Sequence, residues 1–77
     1  MKLKGIDFEK QMEAWGLTPE LAAAFLGKED RTLRRWKRQR DFPEAVAMLI
    51  KLMVEKNLDP RYVCLMAGRN VKGITDQ

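Results

Sequence analysis

Between Arg31 and Arg40 the chain reads Arg-Thr-Leu-Arg-Arg-Trp-Lys-Arg-Gln-Arg, six cations with no acid among them. Guanidinium groups at this density grip phosphates, and each can also make a two-pronged contact to the O6 and N7 edge of guanine. The segment accounts for the whole positive excess of the protein. Of 15 basic residues it holds six, which leaves 9 elsewhere against 11 acidic ones. A face that merely solvates interleaves acids for pairing one turn away, and none follows Asp30 until Asp41. Charge concentrated in this way is the footprint of a polyanion binder.

The remaining side chains offer little other chemistry. There is no histidine and a single cysteine, Cys64, so a Cys/His zinc set and an internal disulfide are both excluded, and the commonest general base is missing. The acids are scattered singly, no nucleophile has a basic partner and no glycine-rich phosphate loop occurs. An enzyme, a cofactor and a small-molecule ligand are therefore not expected. The longest uncharged stretches, residues 21–27 and 62–68, fall far short of the roughly 20 apolar residues that a membrane span needs. Lysines near the start have no apolar run behind them, unlike a secretory signal, and one unpaired cysteine suits a reducing compartment. No membrane partner and a cytoplasmic location are expected.

Positioning the cations requires a fold, and 77 residues with 45% hydrophobic and 34% charged side chains are enough for one small domain. Helix signals recur at short intervals and no alternating run argues for a strand, so an all-α domain of five helices is predicted. Asp7 can cap a first helix whose apolar face is Phe8, Met12 and Trp15, with Gly16 as the stop. Thr18-Pro19-Glu20 opens a second helix that ends at Gly27, the proline at the position where its missing N–H costs nothing. Glu29 or Asp30 can cap the third, over the basic segment. Asp41-Phe42-Pro43-Glu44 has the spacing of a capping box for a fourth helix reaching about Lys56. Asp59-Pro60 restarts the chain as a fifth, ending at Gly68. The domain is drawn at residues 1–68. Residues 69–77 hold little apolar surface and read as a flexible tail.

On a helical wheel the third helix separates into faces. With Leu33 at 0°, Trp36 lies near 300°, and these two form the inward edge. Arg34, Arg38, Arg31 and Arg35 fall between about 100° and 200°, all pointing outward. Lys37 and Arg40 lie toward the buried side and are expected to snorkel out to phosphates.

The segment from Leu17 to Trp36 resembles the helix-turn-helix of lambda-repressor-like and Cro-like phage regulators. Ala23, Gly27, Leu33 and Trp36 match that family's small residue in the first motif helix, its turn glycine and its two apolar anchors. The resemblance implies a major-groove recognition helix whose DNA-facing residues are Glu29, Asp30, Arg31, Arg34, Arg35 and Arg38, with Thr18 near a phosphate. Lys28 stands where the family usually has an apolar residue and must turn its ammonium to solvent or DNA. The Arg-Thr-Leu-Arg-Arg-Trp segment, followed by a proline-started apolar helix, is similar in particular to phage-encoded anti-CRISPR-associated repressors.

Val46, Ala47, Leu49, Ile50, Leu52, Met53 and Val54 cover roughly 220° of the fourth helix, more than one-sided packing needs. Either this helix is central or part of its surface pairs with a second copy. The candidate dimer residues are Leu49, Ile50 and Met53, with Tyr62, Leu65 and Met66 of the fifth helix. Trp15, Trp36 and the methionines read as core, and Cys64 as a buried small hydrophobe. The expected function is a homodimeric repressor occluding a promoter through an inverted-repeat operator in double-stranded DNA. The alternatives are an RNA or nonspecific nucleic-acid binder using the same arginines, and an adaptor or antitoxin that uses the same surface for protein contact.

Overall fold

The computed structural model describes residues 1–3 and 5–76, and among these it contains five helices and no strand. Helix α1, Phe8–Ala14, begins where the Asp7 carboxylate accepts the Lys10 N–H at 3.2 Å. Helix α2, Pro19–Leu26, begins where the Thr18 hydroxyl accepts the Leu21 N–H at 3.2 Å. Helix α5, Pro60–Met66, begins where Asp59 accepts the Arg61 N–H at 2.8 Å. In each case a short oxygen-bearing side chain satisfies a backbone donor that the first turn leaves open.

Helix α3, Asp30–Gln39, and helix α4, Glu44–Glu55, start differently. Pro43 occupies the N-cap of α4 and makes no side-chain cap, so the capping box read at residues 41–44 does not form. Asp41 is engaged elsewhere: the Met1 ammonium donates to its carboxylate at 2.5 Å and to the Phe42 carbonyl at 2.6 Å. That bond, then the positive charge beside it, holds the Asp41 carboxyl below the usual carboxylate range. A lowered folded-state value means the contact stabilises above the ordinary carboxylate range and is lost as pH falls through the lowered one.

All five helices contribute to one core. Phe8 and Met12 of α1, Ala22, Ala23 and Phe25 of α2, and Leu33 and Trp36 of α3 are buried. Phe42, Ala47, Ile50 and Met53, Cys64 of α5 and Val71 complete the cluster. Phe42 stacks beside Phe8 with ring centroids 5.0 Å apart and meets Trp36 edge-on at 6.1 Å. Such pairs add about 0.5 to 1.5 kcal/mol beyond burial. They clamp the C-terminal half of α3 to α1 through the loop that follows it.

Only one side of α4 packs into the core. Ile50 and Met53 are both 0% exposed, which removes them from the predicted dimer surface, because with Ala47 they form the centre of the face turned to the core. Leu49 is half-buried, and Tyr62, Leu65 and Met66 are exposed as expected. The outward stripe of α4 consists of residues outside the candidate dimer set, Met48 at 56% and Leu52 at 53% exposure.

The C-terminal segment is not a loose tail over the described residues. Val71 is buried and Ile74 packs against the core. The Arg69 guanidinium donates to the carbonyl of Phe25, in the last turn of α2, and at 2.9 Å to that of Ala24, which also accepts the Gly27 N–H. Gln77 lies outside the described residues. Hydrogen bonds from a charged donor contribute about 1.5 to 3 kcal/mol, and partial exposure lowers this. Arg69→Ala is thus expected to destabilise the domain by about 1 to 2 kcal/mol in urea denaturation. A change no larger than that of a neutral surface substitution would show that the segment does not hold α2.

Candidate nucleic-acid interface

Helices α2 and α3 pack against each other across the three-residue connection Gly27-Lys28-Glu29. Gly27 stands at φ +70°, a conformation in which a side chain costs about 1 kcal/mol or more. There the Gly27 N–H reaches Ala24 O at 3.1 Å and the Lys28 N–H reaches Ala23 O at 2.9 Å, the paired bonds that close a helix end. This turn sends the chain directly into α3. Leu33 and Trp36 anchor the inner face of α3, both buried, so the opposite face must look outward.

On that outward face lies an open groove lined by Lys28, Arg31, Arg34, Arg35 and Arg38, together with Gly27, Glu29 and Thr32. Five cations and one carboxylate share it, and the four arginines and Lys28 are all exposed. Thr32 was missed from the sequence. Its wheel position beside Arg35 was the available signal, and its hydroxyl adds a neutral donor and acceptor to the charged rim.

Three predicted contact residues stand apart from the groove: Thr18, Lys37, and Asp30, which lies beside it and lines a separate hollow with Leu33, Lys37 and Glu9. Thr18 is exposed but lies at the opposite end of α2, where its hydroxyl oxygen serves as the cap acceptor. Lys37 is a correction: it does not reach outward with the arginines. Its ammonium lies 3.4 Å from a Glu9 carboxylate oxygen on α1, and it lines a separate groove with Lys2, Arg40, Leu3, Ile6 and Phe42. The wheel put Lys37 near the buried edge, and α1 supplies a carboxylate at that edge before solvent does.

The acids at the start of α3 also depart from expectation. Glu29 is the N-cap residue, yet its side chain accepts no backbone N–H and lies 3.4 Å from Arg31 Nε. Asp30, in the first turn, accepts a hydrogen bond from the Arg34 guanidinium four residues on. Neither carboxylate forms a side-chain cap, although both still complement the positive end of the helix. Among the described residues Arg35 and Arg38 have no ion-pair partner, and no group of acids, cysteines or histidines that could hold a metal occurs. Among the described residues no helix is long and apolar enough to cross a membrane.

From Arg31 to Arg38 the helix rises about 10 Å, the length of roughly three stacked base pairs at 3.4 Å each. A cylinder of this width, with its cations on one side and its apolar anchors on the other, matches the dimensions of the DNA major groove. Comparison with protein-family models, curated proteins and solved structures finds no significant match to the chain.

Proposed function

We propose that the chain is a sequence-specific DNA-binding regulator that sets α3 into the major groove of duplex DNA in the manner of helix-turn-helix repressors. The observation that carries this reading is the groove of Lys28, Arg31, Arg34, Arg35 and Arg38 on the outer face of a helix rigidly anchored by Leu33 and Trp36. Occupation of a promoter in the cytoplasm then represses transcription by excluding polymerase. Repression needs no catalytic residue and no cofactor.

One α3 spans about three base pairs, too few to specify a site against the many competing sites of a genome. We therefore infer a homodimer, whose two recognition helices read the halves of an inverted repeat. The outer stripe of α4 suits a second copy. Ala45, Met48, Leu49 and Leu52 form an apolar groove with Lys51 and Glu55 on its margin. Glu44, Lys51 and Glu55 lie on one flank of this stripe and alternate in sign. Two copies of α4 related by a two-fold axis and running antiparallel bring that flank against itself, which sets Lys51 between the Glu44 and Glu55 of the second copy.

Sedimentation of the wild-type protein should give a dimer mass at micromolar concentration. Because Met48 and Leu52 are exposed in the folded chain, the double substitution Met48→Glu, Leu52→Glu should keep the helical spectrum and weaken self-association by about 100-fold. A wild-type protein that stays monomeric while binding a full operator with a single copy overturns the dimer. Competition between a duplex DNA and an RNA of the same sequence tests the wider reading. Preference for the DNA supports it, and equal binding points to general polyanion recognition.

A further inference from the structure

The arginines of the α3 groove are of two kinds. Arg31 and Arg34 each lie against a carboxylate from the start of the helix, Glu29 and Asp30 respectively, whereas Arg35 and Arg38 have no ion-pair partner among the described residues. The closer contact is that of Asp30, which is the less exposed member of its pair and makes a hydrogen bond with Arg34. Glu29 lines this groove and Asp30 flanks it through Arg34, and carboxylates so close to a face offered to a polyanion repel it, so their presence needs a reason. Side-chain capping is not that reason, since neither makes a cap bond.

We propose that Asp30 is a positioning residue that reserves Arg34 for a guanine edge, while Arg35 and Arg38 neutralise phosphates. The proposal rests on the DNA-binding reading above. A guanidinium carries five N–H donors in a rigid fork, and one bond to Asp30 leaves the others free for the O6 and N7 acceptors of guanine. Ordering the side chain in the free protein removes an entropy loss that binding would otherwise include. The same carboxylate also acts against wrong sites. On a duplex without the guanine, Arg34 can reach a phosphate only by leaving Asp30 with its negative charge beside the backbone. The pair therefore separates specific from nonspecific binding more than it adds affinity.

The test compares wild type, Asp30→Ala and Asp30→Glu on a duplex selected by the wild type and on a random duplex, at several salt concentrations, with melting temperatures recorded beside them. Asp30→Ala should bind the random duplex several-fold more tightly and the selected duplex about tenfold more weakly. Its slope of log affinity against log salt on random duplex should steepen by about 0.9, as the released Arg34 takes up one more phosphate. Asp30→Glu keeps the charge within reach of Arg34 and should restore most of the wild-type ratio. Replacing the contacted guanine by 7-deazaguanine, which lacks N7, should weaken the wild type and leave both Asp30→Ala and Arg34→Ala unchanged. Equal changes on both duplexes, or a lower melting temperature with an unaltered salt slope, would overturn the assignment while the DNA-binding reading stands. A wild-type protein that binds no duplex overturns both together.

Discussion

Simultaneous replacement of Arg34, Arg35 and Arg38 by alanine is expected to abolish duplex binding at physiological salt without loss of fold. Each arginine that reads a base contributes about 1 to 3 kcal/mol, and each that neutralises a phosphate adds about 0.9 to the salt slope. Losing three together exceeds the margin between a specific complex and no complex for a domain with so short a reading helix. The domain itself should remain intact, because all three side chains are exposed, line the open groove and lie outside the core cluster. The one ion pair removed, Arg34 with Asp30, is an exposed i,i+4 contact worth about 0.3 to 0.5 kcal/mol. Fluorescence anisotropy beside a thermal melt separates the two effects. A folded triple variant that binds as tightly as the wild type would remove α3 from the interface.

The second large effect lies inside the molecule. Ile50→Ala and Met53→Ala should each destabilise the domain by about 2 to 5 kcal/mol, since both side chains are completely buried and truncation leaves a cavity under α4. A native domain has a total stability of about 5 to 15 kcal/mol, and one this small stands at the lower end. The double variant should therefore be unfolded at 25 °C. Met48→Ala and Leu52→Ala on the opposite face of the same helix should leave the stability of the monomer within about 0.5 kcal/mol. Urea denaturation of the four variants gives the comparison directly. Similar losses on both faces would mean that α4 is buried on both faces.

That contrast shows where the sequence was informative. The starts of α1, α2 and α5 were legible because Asp7, Thr18 and Asp59 act on donors two or three residues away, and no distant group competes for them. The outward fan of Arg31, Arg34, Arg35 and Arg38 was legible because α3 has only two strongly apolar positions, which leaves its inner face unambiguous. On α4 nearly every side chain is apolar, so periodicity marked a helix without saying which side faces the core. Tertiary partners decided the rest. Asp41 was read as a cap but binds the Met1 ammonium 40 residues away in the chain. Lys37 was assigned to phosphates but meets Glu9. Residues 69–76 looked too polar to pack, yet Arg69 docks them through the carbonyls of α2 while Val71 supplies a single buried anchor.

The acids of α3 were the most ambiguous residues, since a helix N-terminus accommodates a carboxylate whether or not it does anything further. Only the side-chain geometry distinguishes a cap from a tether on an arginine, and residue type does not encode that choice.

Selection of bound sites from a library of random duplexes, carried out with the wild-type protein, tests the central claim most directly. The arginine face of α3 and a two-fold pair of copies together require a short inverted repeat with a guanine in each half. The half-site centres should lie about 10 base pairs apart, one turn of the DNA, or a multiple of that spacing. A selected pool with no motif enriched over the starting library would contradict sequence-specific recognition by this helix.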